Sequence, residues 1–179
     1  MRKALLLALF LLPQAALAAA PSAEDKLFTD LANAASPEDA HPIEDRLDAL
    51  FKVSNSPSVD LLMSRASAAL SATDNATARK LVDAVTRVAP NYAEGWHQRA
   101  QLQAAANDEG GAMLSLQKTV LINPRQFSAM VELAEMLEAY GDKSGALKLY
   151  RRVLALDPQM TSAAKREQAL SKEVEGQGI

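Results

Sequence analysis

The side chains that most often act as acids, bases or metal ligands are scarce in this sequence. It contains two histidines and no cysteine, which excludes disulfides, thiolate nucleophiles and zinc sites that need cysteine. His41 stands directly before a proline, between or at the start of helical patterns, which indicates a surface residue. His97 has Glu94 three positions before it and Gln101 four positions after it. A metal site needs more ligands than this group offers, so we expect no metal.

The carboxylates do not indicate a catalytic site either. Glu44 and Asp45 are adjacent, and Glu135 and Glu138 are three positions apart, so each pair resembles the two carboxylates of a glycosidase. On amphipathic helices, however, such pairs are more often part of a solvated face. No glycine-rich phosphate-binding loop follows an apparent strand. The sequence therefore predicts a protein that is not an enzyme and that has no cofactor.

Composition and charge narrow the class of protein further. Of the 179 residues, 49% are hydrophobic and only 4% are aromatic. Alanine and leucine dominate, which favours helices over sheets. The formal net charge of −3 gives no long-range attraction for nucleic acid. We therefore expect a helical protein with no nucleic-acid partner.

The first residues have the layout of a secretory signal. Arg2 and Lys3 precede an apolar run over 4–12, and small residues follow it, which is the order of a cleaved leader. We predict a signal peptide over 1–18; cleavage after Ala20 also fits, but it leaves a proline next to the cut. The apolar run is shorter than the ~20 residues that span a bilayer. We expect a protein without a stable membrane span after cleavage, exported to the periplasm or, alternatively, secreted.

Three consecutive blocks of 34 residues, 59–92, 93–126 and 127–160, carry the same residue types at equivalent positions. Each block contains two helical patterns. An aspartate that can accept hydrogen bonds from free backbone N–H groups precedes the second pattern, a proline ends it, and small residues recur where two helices can approach closely. These residues are Asp74, Asp108 and Asp142; Pro90, Pro124 and Pro158; Ala66, Ala100 and Ala134; and Ala78, Ala112 and Ala146. In addition, Asn91 with Glu94 has the spacing of a capping box.

These blocks resemble the tetratricopeptide repeat (TPR) family, whose pattern is W-x2-L-G-x2-Y, then A-x3-F, then P, on the same period. The further matching residues are Trp96 and Leu116 in the second block, Met130, Leu133, Leu137 and Tyr150 in the third, and Leu62, Ala69 and Val82 in the weaker first block. The resemblance implies an all-α fold, a right-handed α-solenoid of TPR helix pairs.

Three residues depart from the family pattern. Arg65 and Arg99 stand where leucine is usual, and Gln103 replaces the usual tyrosine. Each arginine can lay its methylenes along the helix pair with the guanidinium at the edge. The alternative is a partly buried ion pair that fixes the register between repeats, with Asp83 as the partner of Arg65.

The segments beside the blocks are predicted to be helical as well. Within 19–58, apolar residues recur at an offset of 35 from the first block. This pattern predicts a degenerate helix pair over 23–35 and 38–53, followed by a linker, that closes the amino-terminal end. Residues 161–179 are predicted to form a polar capping helix over about 161–174 and a tail.

The resemblance implies binding, because the first helices of TPR pairs line a concave groove. Residues three, four and seven positions apart on those helices are expected to face it. They are Asp60, Met63 and Ser67; Glu94, His97 and Gln101; and Ser128, Val131 and Glu135. A groove lined mainly by carboxylates and small residues favours a basic or apolar protein segment as its partner.

The sequence is compatible with three functions. The first is a non-catalytic interaction scaffold of the cell envelope that binds an extended peptide or a partner helix. The second is an assembly or chaperone-type accessory that holds exported clients transiently, with Met63 and Val131 making apolar contacts. The third is a self-associating structural repeat protein, a homo-oligomer in which the amino-terminal pair meets a second copy.

Overall fold

The computed structural model describes residues 21–176, in which nine helices and no strands occur. The predicted all-α fold is thereby confirmed. The predicted signal peptide over 1–18 and the end of the tail, 177–179, lie outside the described residues. The helices are α1 (Ala23–Ala32), α2 (Pro37–Phe51), α3 (Pro57–Ser71), α4 (Asn75–Val88), α5 (Ala93–Ala104), α6 (Glu109–Ile122), α7 (Phe127–Ala139), α8 (Lys143–Leu156) and α9 (Thr161–Val174). Over the described range, no helix combines the length and the hydropathy that crossing a membrane requires.

The second helix of each repeated pair begins and ends where the sequence predicts. At its start, the carboxylate of an aspartate accepts a hydrogen bond from the backbone N–H three residues on, which satisfies a free donor of the first turn. These bonds join Thr77 to Asp74 at 3.0 Å, Gly111 to Asp108 at 3.0 Å and Gly145 to Asp142 at 2.8 Å. The helices end two residues before the prolines, at Val88, Ile122 and Leu156.

The start of α5 differs from the predicted capping box. Tyr92, not Asn91, is the residue before the helix, and its side chain makes no capping hydrogen bond. The carboxylate of Glu94 does not turn back to the helix start, because it accepts hydrogen bonds from Gln98 at 2.9 Å and from Gln126 at 2.8 Å. The predicted cap at Asn91 is therefore wrong.

Small residues bring the helices into close contact. The six alanines that recur in the three blocks are at most 2% exposed. A Cβ added to Gly95 on α5 would lie 2.8 Å from Cγ1 of Val85 on α4, so these two helices leave no room for a side chain between them. Helices α4, α6 and α8 each pack against the first helix of the next unit, α5, α7 and α9. The result is a continuous stack of helix pairs.

The two arginines that depart from the family pattern have different environments. Nε of Arg99 donates a hydrogen bond to Oδ1 of Asp83 at 2.9 Å, and its Cζ lies 5.5 Å from the ring centroid of Trp96. Arg65 is exposed. The predicted ion pair between repeats is therefore confirmed for Arg99, with both side chains about one third exposed. Its predicted assignment to Arg65 is wrong, because Arg99 of the following repeat binds the Asp83 carboxylate.

Helices α1 and α2, with the turn between them, form what we call the amino-terminal hairpin. It does not close the amino-terminal end of the stack, which corrects the sequence prediction. Among the described residues, α1 packs against α2 and α8, and either helix makes at most marginal contact with α3 or α4. The ring of Phe51 has its centroid 6.3 Å from that of Phe28 and 6.1 Å from that of Phe127. Burial of these three aromatic rings together favours this placement over a stack on α3.

Candidate functional site

Two of the cavities in the described part of the chain open on the side of the stack formed by α3, α5 and α7, the first helices of the three pairs. The first cavity has a volume of about 360 Å³ and lies between α3 and α5. Met63, Ser67 and Glu94, all predicted to face the groove, line it together with Lys52 from the end of the amino-terminal hairpin. The structure thus brings three of the predicted residues to one place.

The second cavity has a volume of about 370 Å³ and lies between α5, α6 and α7. Buried apolar side chains, Ala100, Ala112 and Leu116, form its floor. Carboxylates stand around it, on Glu109, Glu132 and Glu135. An apolar floor with acidic groups beside it suits an apolar side chain that has a basic neighbour.

His97 lies between two carboxylates on different repeats. Its Nδ1 is 3.2 Å from Oε2 of Glu94 on α5, and its Nε2 is 2.9 Å from Oε1 of Glu132 on α7. The residue is 6% exposed. Burial opposes the charged imidazole, but the hydrogen bonds and negative charges of Glu132 and Glu94 outweigh it and raise the pKa of His97 to about 9. At neutral pH these contacts favour the protonated ring, in which both nitrogens donate hydrogen bonds.

Gln126, in the turn before α7, extends this polar network. The residue is 1% exposed, and its Nε2 donates a hydrogen bond to Oε2 of Glu94 at 2.8 Å. Burial raises the pKa of Glu94. Hydrogen bonds from His97, Gln98 and Gln126, with the charge of His97, outweigh this effect, so the pKa of Glu94 lies below its usual value. Gln101 donates to Glu132 at 2.9 Å. The network therefore fixes α5 against α7.

The same residues do not form a metal site. Across residues 21–176, no group of three or more histidine, cysteine, aspartate or glutamate side chains is arranged to hold a metal ion. The ring nitrogens of His97 are both engaged with carboxylates, as described above. The arrangement can orient helices and present charge, and its open parts can bind a polypeptide.

Sequence comparison finds a similar curated protein, although no protein-family model matches the chain. It is 29% identical over 106 residues to a TPR repeat-containing protein of Rhizobium etli, an alignment that covers 59% of this chain and 52% of the relative. The chain therefore spans about half the length of this curated relative.

Solved structures with the same fold include three that are similar over most of their length. One is the Yersinia enterocolitica type III secretion chaperone SycD in complex with a peptide of the translocator YopD. Its TM-score is 0.59 at 14% identity, and the alignment covers 66% of this chain and 95% of the SycD chain. The first TPR of Spaghetti, bound to an HSP90 peptide, has a TM-score of 0.58 at 17% identity, with coverages of 65% and 93%. MamA has a TM-score of 0.58 at 15% identity, with coverages of 89% and 86%. The chain folds as a tetratricopeptide-repeat solenoid. The likeness in sequence and fold supports the TPR family inferred from the repeats.

The other residues predicted to face the TPR groove differ in their access to solvent. Asp60 turns toward the linker before α3, where its Oδ1 accepts a hydrogen bond from Oγ of Ser54 at 2.5 Å. Val131 packs against the main apolar core, and Ser128 is half-buried. Glu135 is exposed beside the second cavity. Of these four predicted residues, Glu135 is thus the one placed to meet a ligand in that cavity.

The amino-terminal hairpin lies along one edge of the TPR groove, at the turns before α5, α7 and α9, an arrangement that the sequence did not predict. Oη of Tyr92, before α5, donates a hydrogen bond to the backbone oxygen of Lys52 at 2.7 Å. Asp48 on α2 interacts electrostatically with Glu94 and His97, and burial raises its pKa. The hairpin therefore lies over the amino-terminal ends of the groove helices, whereas the second cavity stays open. The offset of 35 in the sequence shows that the hairpin departs from the 34-residue period, but it does not indicate where the hairpin packs.

Proposed function

We propose that the protein is a non-catalytic interaction scaffold that binds an extended peptide or a partner helix in its TPR groove. The second cavity is the observation that carries this proposal. Its floor, at Ala100 and Ala112, leaves space for a ligand side chain, and Glu135 supplies negative charge beside it. The ligand that fits is a segment with an apolar side chain next to lysine or arginine.

Two of the similar TPR structures are complexes with peptides, which supports peptide binding as the role of the groove. The HSP90 peptide bound by Spaghetti has the sequence SRMEEVD and is acidic at its end. An acidic segment of this kind would be repelled by Glu109, Glu132 and Glu135. We therefore propose a basic or apolar segment as the partner of this protein.

We further propose that the scaffold acts after export, in the periplasm. The basic, apolar and small-residue segments over 1–18 support this. The check is the amino terminus of the chain purified from the periplasm of a bacterium that expresses it, which should be Ala19. A chain that retains Arg2 and Lys3 would contradict this part of the proposal.

The test of groove binding uses two fluorescent peptides that differ only in charge. Each has a leucine in a glycine–serine segment, flanked by lysines in one peptide and by glutamates in the other. We expect the full-length protein to bind the lysine peptide, more weakly as salt rises. Glu135→Lys should weaken this binding about tenfold or more, because it reverses a charge beside the cavity.

A matched control separates the cavity from net charge. Asp30→Lys makes the same charge change on α1, at an exposed position outside both cavities, and should bind the lysine peptide like the unchanged protein. Three results would each rule out the second cavity as the site: equal binding of the two peptides, equal losses of affinity in the two variants, or no binding at all.

A further inference from the structure

Two residues at equivalent positions of successive repeats bind the amino-terminal hairpin. Arg125 and Gln159 are separated by one 34-residue period and lie in the turns that enter α7 and α9. Nη1 of Arg125 donates to Oδ1 of Asp25 at 2.7 Å, and its Cζ lies 3.8 Å from the ring centroid of Phe28. Nε2 of Gln159 donates to the backbone oxygen of Ala34 at 2.9 Å. The hairpin thus binds a surface that the repeats themselves generate.

The side of the hairpin that meets this surface consists of the apolar faces of two amphipathic helices. Leu27 and Leu31 on α1, and Leu47 and Phe51 on α2, are each four positions apart and belong to one apolar cluster with Phe127. Leu31 and Leu47 are completely buried. Residues at this spacing lie on one face of a helix. The surface beneath the hairpin therefore has the form of a site for an amphipathic helix.

The hairpin can leave this surface without taking the repeats apart. Its chain connection to α3 runs through a linker over 52–56, in which Asn55 has a φ of 58°. Its contact with α3 and α4 is at most marginal. The repeat pairs, in contrast, are held by packing of each unit on the next. The hairpin shares its apolar cluster with α7, α8 and α9, but the contacts that join successive repeats do not pass through it, so the stack of α3 to α9 stays connected when the hairpin leaves.

We propose that the surface beneath the hairpin is a second binding site, for an amphipathic helix, and that the hairpin occupies it in the free protein. The partner gains this site by displacing the hairpin. The inference rests on the proposed function in one respect, because it takes the partner to enter the TPR groove. The partner helix carries an acidic residue three positions before an aromatic one, as Asp25 and Phe28 do, to meet Arg125.

The test measures competition between the hairpin and its own sequence added as a peptide. A labelled synthetic peptide with the sequence of residues 21–53 is titrated with the full-length protein and with full-length Phe28→Ala/Phe51→Ala. The changes lie on the hairpin, so the surface beneath it keeps its native sequence. We expect the double variant to bind the peptide about tenfold or more tightly than the unchanged protein, because its own hairpin competes less.

Two further variants keep the test decisive. Leu50→Ala truncates a partly exposed side chain on α2, next to Phe51, and should bind the peptide like the unchanged protein. Asp25→Ala removes the ion pair with Arg125 and the hydrogen bonds that the carboxylate accepts from Ser22 at the start of α1. It should give a smaller gain of a few fold, which covers the case that the double variant fails to fold.

Equal affinities for the unchanged protein, the double variant and Asp25→Ala would overturn the proposal, and so would the absence of binding in all of them. A peptide in which Asp25 and Phe28 are both replaced by alanine should bind none of the proteins. Since the probe is the hairpin sequence itself, a negative result has no bearing on binding of the lysine peptide to the second cavity. The two proposals can therefore fail separately.

Discussion

Nε2 of His97 on α5 lies 2.9 Å from Oε1 of Glu132 on α7, although the two residues are 35 positions apart in the sequence. The bond crosses from one repeat to the next. On its other side, the same imidazole meets Glu94 at 3.2 Å. The imidazole stabilises this arrangement of two carboxylates only while it is protonated and therefore positively charged. The connection between these repeats should therefore depend on pH.

We predict that the free energy of unfolding decreases as pH rises above neutrality. The pKa of His97 is raised from 6.5 to about 9 in the fold. A raised pKa means that the stabilising contribution is complete below about 6.5 and is lost as pH rises through about 9. The whole contribution amounts to about 3 kcal/mol. Thermal unfolding between about pH 6.5 and 9.5 should show this loss.

The control for this prediction is His97→Gln, which keeps a hydrogen-bonding side chain and cannot titrate. Its unfolding temperature should be lower than that of the unchanged protein near pH 7, and it should vary much less between about pH 6.5 and 9.5. Parallel pH profiles for the two proteins would show that other groups cause the dependence.

The two arginines at equivalent repeat positions should differ in their contribution to stability. Arg99→Ala removes the hydrogen bond to Asp83 and the guanidinium above Trp96, and should lower the free energy of unfolding by about 1 kcal/mol. Arg65→Ala changes an exposed side chain and should have an effect within about 0.5 kcal/mol. Urea denaturation of both variants checks this. Similar losses would mean that the bond to Asp83 adds nothing measurable.

Two helical glycines should respond to alanine with opposite signs. A Cβ at Gly95 would lie 2.8 Å from the fully buried Val85, so Gly95→Ala should separate α4 from α5 and destabilise the protein by about 1–3 kcal/mol. A Cβ at Gly110 on α6 would meet nothing within 4 Å. Gly110→Ala should therefore stabilise the protein, by about 0.5–1 kcal/mol, since alanine favours helix. Urea denaturation midpoints that move in the same direction would contradict this.

The repeat architecture was predictable because its determinants are local. Asp142 caps α8 through the N–H three residues on, and Pro158 follows the end of the same helix, so both act within a few residues. The position of the amino-terminal hairpin was not predictable in this way. It depends on contacts such as that between Asp25 and Arg125, 100 positions apart, for which the repeat period gives no signal.

The groove was predictable only in part for the same reason. The spacing of Glu94 and His97 placed them on one face of α5, and they do lie together. Whether that face is open depends on residues beyond the helix, namely Gln126 in the turn before α7 and Glu132 of the next repeat. These two side chains, with the hairpin nearby, leave His97 and Glu94 almost completely buried, although Glu94 still lines the first cavity. A single helix pattern contains no information on what its neighbours bring.

The attachment of the hairpin should also depend on pH, through a buried carboxyl group. Asp157, in the turn between α8 and α9, is fully buried. Burial, with the nearby negative charge of Glu44 on α2, raises the pKa of Asp157 to about 6, against weaker effects of the Gln159 N–H and of His41. The stabilising contribution is therefore complete below 3.8, the ordinary value, and is lost as pH rises through about 6.

We therefore expect the hairpin to be held more firmly at about pH 5 than at about pH 7.5. Hydrogen exchange, corrected for the intrinsic pH dependence of amide exchange, should show severalfold greater protection of α1 and α2 at the lower pH. Asp157→Asn should remove this difference because the amide does not titrate, while Asp45→Asn, an exposed position beside Glu44, should keep it. If protection of the hairpin is the same at both pH values in the unchanged protein, Glu44 and Asp157 do not control its attachment, which then depends on the aromatic cluster around Phe51 and on the contacts of Arg125 and Gln159.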